Sequence, residues 1–417
     1  MRGILATFLI AGAWFLRAGA ATDWPQFLGP DRNGVYPGTD VAATWPAGGP
    51  PVVWRRPAGH GFSGPAVAAG RLILFHRRDA EEVVECVEAG SGKLLWSAAS
   101  PTSYEDDFGF DDGPRATPAI TGGQVFTFGA EGRLQCLELA TGRRVWGVDL
   151  GPELHAAKGF FGLACSPLVE GHAVLVNAGG KPGAGITAFD TATGKLLWKA
   201  TDDEASYSSP VAATLAGRRC ALFLTRAGFV AIDPESGAVR YRYPWRSRSS
   251  TSVNAATPLV LGDTIFLSAC YGTGAAVLKV GAGGIEKVWS GDDLLSNHYS
   301  TSVARKGSLY GIHGRTDPGY QPKAHLRCVD PFEHKVRWET DTVGAATVTL
   351  AGDRLIILTE PGDLVNAAAS PDHFEASARF PILTTQTRAF PAIANGLLYA
   401  RDKQEWICVD LRDTKAK

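Results

Sequence analysis

Three arginines stand beside residues able to share a ligand with them. Arg115 closes an acidic, aromatic run, Tyr104-Glu105-Asp106-Asp107-Phe108-Gly109-Phe110-Asp111-Asp112-Gly113-Pro114, and Arg246 and Arg248 open a serine-rich run that ends at Asn254. A guanidinium presents a planar fork of N–H donors that matches a carboxylate or phosphate, so these positions suit a small anionic ligand. Tyr207, before Ser208-Ser209, and the pair His298-Tyr299, before Ser300, add groups that can donate hydrogen bonds to it. Arg115, Tyr207, Arg246, Arg248, Asn254, His298 and Tyr299 therefore form the candidate binding set. Two plainer readings stay open beside it: pairing of the arginines with the acidic run itself, and structural roles for the tyrosines and histidine.

Other chemistry is poorly represented. The acidic run lacks the alternating acids and final Glu of a calcium loop, so no metal ligand is assigned. Asn177-Ala178-Gly179-Gly180-Lys181-Pro182-Gly183 lacks Walker spacing and reads as a hairpin turn. The sequence has no His-Glu-x-x-His pattern and no Gly-x-Ser-x-Gly elbow. With 41 Lys+Arg against 42 Asp+Glu over 417 residues, bulk electrostatics give no reason to expect a nucleic-acid partner.

The elements that must position these residues are repeated. The text Ala188-Phe189-Asp190-Thr191-Ala192-Thr193-Gly194-Lys195-Leu196-Leu197-Trp198 has relatives at Cys86 to Trp96, Cys136 to Trp146, Ala231 to Trp245 and Cys328 to Trp338. Trp289 ends a degenerate copy, and Phe380 stands where a further Trp is expected. Prolines 65, 118, 167, 210, 258 and 391 mark starts, with Val303 and Val348 in two copies lacking the Pro. Eight starts and eight ends are offset by one, because Trp54 precedes the first start and Pro391 has no end after it. A circular array explains the offset, the strand at Val52 to Arg55 completing the last unit. The prediction is all-β: eight four-stranded antiparallel blades in a propeller closed by an N-terminal strand.

Within each copy the residue types have structural roles. Cys86, Cys136, Ala188, Ala231, Cys328 and Cys408 alternate with apolar residues two positions earlier, so these cysteines read as small core residues. One disulfide among Cys165, Cys220 and Cys270 stays open. Glu88, Glu138, Asp190, Asp233, Asp330 and Asp410 read as turn acids that accept backbone N–H groups, with Gly92, Gly142, Gly194 and Gly237 at positive φ. Each Trp buries enough surface to join one blade to the next.

The small residue, acid, Thr-Gly turn and Trp resemble the tryptophan-docking repeat of pyrroloquinoline-quinone (PQQ) propellers, which include quinoprotein alcohol dehydrogenases and BamB-type assembly propellers. Trp24-Pro25-Gln26-Phe27-Leu28-Gly29-Pro30-Asp31-Arg32-Asn33-Gly34 resembles the opening of a bacterial envelope subgroup of PQQ-like repeat proteins. The resemblance implies an eight-bladed fold. For an active dehydrogenase it also implies PQQ, a Ca²⁺ site of Glu, Asn and Asp, a catalytic Asp and an adjacent Cys-Cys pair. This chain has no Cys-Cys dipeptide, and no residue is carried over to the calcium or catalytic roles.

Arg2, the apolar run Ile4 to Leu16 and Ala18-Gly19-Ala20 read as a secretory signal, with no Cys after the cleavage region to carry a lipid. The expected organisation is a signal at 1–20, an extended arm at 21–50, the propeller at 51–410 and a tail at 411–417. The expected protein is an exported monomer of the periplasm or cell exterior, with no transmembrane segment. It binds an envelope protein or a small anionic ligand without catalysis. The alternatives are a PQQ- and Ca²⁺-dependent alcohol or sugar dehydrogenase, and a carbohydrate binder using Phe108, Phe110, Phe160 and Phe161.

Overall fold

The computed structural model describes residues 22–413 except 248, 250–252, 318–320 and 322. Residues 1–20, read above as a signal, Arg248 and the end of the tail lie outside the described residues.

Eight sheets form the predicted ring. Blade 1 spans Ala66–Ala68 to Leu94–Pro101, blade 2 Ala119–Thr121 to Arg144–Asp149, and blade 3 Leu168–Glu170 to Leu196–Ala200. Blade 4 spans Val211–Leu215 to Val239–Pro244, blade 5 Leu259–Leu261 to Gly284–Gly291, and blade 6 Val303–Arg305 to Lys335–Thr340. Blade 7 spans Ala346–Ala351 to Ala376–Pro381. Blade 8 combines Ala392–Ala394, Leu397–Arg401 and Glu405–Asp410 with Val52–Pro57, whose Trp54 pairs antiparallel with Cys408. The marker prolines stand immediately before six of the inner strands, where a fixed φ and a missing N–H suit the start of a strand.

Every outer strand carries a bulge at one register position, and the residues paired there explain the repeat. Trp96 lies opposite Cys86, Trp146 opposite Cys136, Trp198 opposite Ala188, and Trp338 opposite Cys328. Each of these indoles crosses to the next blade. Trp96 Nε1 donates to the Leu139 carbonyl at 2.9 Å, Trp146 to Thr191 at 2.9 Å and Trp198 to Pro234 at 3.0 Å. A Cβ added at Gly142, Gly194 or Gly237 would lie 2.5–2.7 Å from the Trp ring of the preceding blade. These glycines, at φ 69–74°, are thus demanded twice, by conformation and by the indole above them.

Two ends of the repeat differ from the sequence reading. The docking position of blade 4 belongs to Tyr241, opposite Ala231, and Trp245 lies beyond the strand. In blade 7 the position falls on Ala378, opposite Asn366, with Phe380 two residues on. Trp45 of the arm joins the core cluster against which Ala378 and Phe380 pack. The blade count is unaffected.

The remaining repeat residues follow the sequence reading except Glu88 and Glu138, whose longer side chains accept the Ser91 and Thr141 hydroxyls rather than backbone N–H groups. All seven cysteines are free and buried, including Cys165, Cys220 and Cys270. Asp190 accepts the Thr193 N–H at 2.8 Å, Asp233 those of Glu235 and Ser236 at 3.0 and 3.1 Å, and Asp330 those of Phe332 and Glu333 at 3.0 Å. Among the described residues, no helix is long and apolar enough to cross a membrane.

The arm enters the middle of the ring. Trp24 bridges to Val67 in blade 1, and Pro25 accepts the Ile120 N–H of blade 2 at 2.7 Å. The buried Arg32 guanidinium donates to the carbonyls of Ser166, Pro167 and Pro210, at the start of blades 3 and 4. Val35–Tyr36 then adds a parallel strand to blade 7. The segment therefore rises along the axis from the far ends of the inner strands, turns at residues 26–32 and returns. Gly29 permits the turn, at φ 83° and against the Trp24 ring.

Candidate functional site

The loops before the inner strands, and those joining second to third strands, meet on one face around the axis. They enclose a cavity of about 570 Å³. Phe27, at the turn of the arm, reaches its inner end and meets Phe390 edge to face at 5.1 Å. One wall comes from the acidic run and the loop at residues 155–166. There Phe108, Phe110, Phe160, Phe161 and Tyr207 form a contiguous aromatic group with ring centroids 5.3–5.9 Å apart. Phe108 is 56% exposed and Phe110 38%, so this wall reaches the mouth.

The opposite wall is polar and comes from blades 5 to 8. The Tyr271 hydroxyl lies 3.1 Å from His298 Nε2, and the Arg315 guanidinium lies over the Tyr271 ring at 4.1 Å. Arg315 Nε donates to Asp317 at 2.8 Å. Arg388 Nε donates to Glu360 at 2.8 Å, and its guanidinium faces the rings of Phe62, Phe110 and Tyr299 at 5.5–6.0 Å. Burial pulls the His298 imidazole down to about 4, against the opposing pull of Asp317, so the ring is neutral at pH 7. Burial, with the Glu360 charge, pushes the Tyr299 phenol up, and burial does the same to Tyr207.

Hydroxyls line the base. Thr117 Oγ1 accepts the Gly64 N–H at 3.2 Å, Ser166 Oγ that of Thr117 at 2.9 Å, and Ser209 Oγ that of Ser166 at 2.9 Å. Thr301 Oγ1 accepts the Thr257 N–H at 3.0 Å. Each bond ties one blade to the next around the axis. Thr117, Ser166 and Ser209 also face the cavity.

Of the residues singled out from the sequence, Arg115, Tyr207, His298 and Tyr299 line this cavity. Arg115 is bound by its own loop: its Nη2 donates to Asp106 at 2.5 Å and to the Asp111 carbonyl at 3.1 Å, which is the pairing left open above. Tyr207 accepts the N–H groups of Phe160 and Phe161 at 2.8 and 3.0 Å. Arg246 is exposed and not among the lining residues, and Asn254 is buried with its amide donated to the Thr225 carbonyl at 2.8 Å. Sequence reasoning missed Arg315, Asp317, Arg388 and Phe27, and it did not single out Tyr271 for the site. No local motif marks the first four. The hydroxyl belt had a signal, the Thr or Ser before successive blade-start prolines.

The quinone and calcium implied by the resemblance can be tested against these groups. Calcium takes six to eight oxygen ligands. Among the described residues no three His, Cys, Asp or Glu side chains converge, and the nearby carboxylates Asp317 and Glu360 are each held by an arginine. The residues do not fit a calcium–quinone centre.

An eight-bladed ring locked by tryptophan docking is a PQQ-type propeller. The family model described as outer membrane protein assembly factor BamB matches residues 79–320, more than half of the chain, and the chain belongs to that family. BamB from Moraxella catarrhalis shares the fold with a TM-score of 0.61 at 16% identity, covering 86% of this chain and 96% of that one. The quinohemoprotein alcohol dehydrogenase from Comamonas testosteroni does so with a TM-score of 0.70 at 15% identity, covering 96% and 82%. The dehydrogenase subunit of the quinone alcohol dehydrogenase of Komagataeibacter europaeus is 32% identical over 124 residues, which is 28% of this chain and 17% of that relative. The chain thus spans under a fifth of the length of the curated relatives it matches.

Proposed function

We propose that this protein is a non-catalytic binding propeller of the cell envelope that takes a small organic ligand into its axial cavity. The observation that carries the reading is the cavity itself: about 570 Å³, ended by Phe27 and walled by aromatic rings, the form in which proteins hold small molecules. The apolar run Ile4 to Leu16 supports export to the periplasm or exterior. The BamB-type family match supports a scaffold role.

Thermal unfolding of the purified protein with 2-naphthylmethanol tests the reading, since a ligand that prefers the folded state raises the midpoint. A saturable rise is expected, and Phe108→Ser should weaken it several-fold. No rise with any ring-bearing probe would refute the reading.

Similarity to quinone alcohol dehydrogenase subunits over 28% of this chain supports a second reading, a quinone-dependent oxidoreductase, against which the want of converging metal ligands among the described residues weighs. It requires that PQQ with Ca²⁺ bind and support oxidation of an alcohol.

A further inference from the structure

The cavity's charges narrow its ligand, on the reading that the cavity is a binding site. Three arginines line it. Arg115 is engaged by Asp106 and by the carbonyl of Asp111. Arg315 turns both Nε and Nη2 to Asp317. Arg388 differs: it gives Glu360 only its Nε, and among the described residues its two Nη groups carry no bond to the protein. Those two groups form the edge of the guanidinium that takes a carboxylate through two parallel bonds. Phe62, Phe110 and Tyr299 flank the same guanidinium, and these rings shield it in part from water, so a charge contact there is less screened than at the open surface.

Two ligand classes fit poorly. A polyol would find partners at the hydroxyl base and the polar wall but leaves the wall of Phe108, Phe160 and Phe161 without an apolar body to cover. A trianion such as PQQ would set further carboxylates beside Phe rings, while Arg115 and Arg315 already give Nη2 to protein groups; uncompensated buried charge is strongly unfavourable. One anionic head on a ring-bearing apolar body meets both walls.

We propose that the ligand is an apolar, ring-bearing monoanion whose head group binds the Nη edge of Arg388 and whose rings pack on the Phe108–Phe161 wall.

The test compares three probes by equilibrium titration of the purified protein: 2-naphthoate, neutral 2-naphthylmethanol and PQQ. The naphthoate should bind at least about tenfold more tightly than the alcohol, a preference worth about 1.4 kcal/mol. Arg388→Gln should erase that preference, weakening naphthoate about tenfold more than the alcohol, and Arg246→Gln should change neither. Should Arg388→Gln fail to fold, the wild-type order of the three probes still decides. Equal affinity for naphthoate and alcohol would overturn the anionic head while leaving the cavity a binding site. PQQ binding as tightly as naphthoate would overturn the single charge. Binding of none of the three would refute both this inference and the proposed function.

Discussion

The docking ring and the cavity wall lie in one molecule and follow opposite rules. In six of the eight blades of the ring the same contact recurs: an indole with its N–H on the next blade's carbonyl and its face on a glycine or a substitute such as His334, stacked on Trp289 at 4.4 Å. In the wall no contact recurs. Arg115 folds back on Asp106, Arg388 holds Glu360, Tyr271 meets His298, and Phe27 comes from outside the repeat altogether. Symmetry here marks what holds the molecule together, and departures from symmetry mark the cavity proposed to take a ligand.

Removal of a ring member should have the largest effect. Trp146→Ala leaves a void between blades 2 and 3 and should cost about 3–5 kcal/mol in urea unfolding. A loss below about 1 kcal/mol would mean that docking is not what joins the blades. The glycines sharpen the point. Gly194→Ala meets both a left-handed φ and the Trp146 ring at 2.6 Å, and should cost about 2–4 kcal/mol. Gly217→Ala has a similar φ of 75° with nothing within 4 Å, and should cost about 1–2 kcal/mol. Equal losses would remove the indole from the explanation.

Acid should strain the scaffold through buried histidine. Burial, aided by Arg78, Arg401 and Arg56, holds His76 down to about 3 in the folded chain. The unfolded chain therefore takes up this proton first, near pH 6.5, and stability falls as pH drops from about 6.5 towards 3, by up to ~1.4 kcal/mol per pH unit for one proton. Glu82, raised by burial to about 7, acts in the opposite sense between about 4.5 and 7. The difference between wild type and His76→Gln isolates the histidine, and the variant should show the shallower acid limb. The smallest effect belongs to the wall: Phe108→Ser, at an exposed ring, should change stability by no more than about 0.5 kcal/mol while weakening ligand binding. Substantial destabilisation would make that ring part of the scaffold.

This contrast also explains what could be read from the sequence. The eight blades, the closing strand at Val52–Pro57 and the roles of Cys86 or Asp190 were legible because one physical demand repeats along the chain at nearly constant spacing. The pattern misled at Trp245 and Phe380, where an aromatic stood near the expected place but the bulge register selected Tyr241 and Ala378. In the cavity, legibility followed local context. Arg115 was visible because its acidic partner is nine residues away, whereas Arg388 and Glu360 are 28 apart and belong to different blades. Arg246 looked equivalent to Arg115 by composition, but the fold turns it outward.

The arm has a consequence for the order in which the molecule assembles. Val35–Tyr36 needs Leu350 and Ala351, Val52–Pro57 needs Glu405–Asp410, and Ala42 donates to the Leu411 carbonyl at 2.8 Å. Beyond its contacts with blades 1 to 4, the arm thus finds strand partners among nearly the last described residues, and these pairings carry the longest loop-closure cost in the fold. Blades 2 to 6 can form as neighbours from contiguous sequence. Blade 8 cannot be completed until Glu405–Asp410 has arrived, and until then Val52–Pro57 has no strand to pair with. The ring is thus fastened last by the part synthesised first, and a chain truncated before Ala392 would leave that fastening strand without a sheet to join.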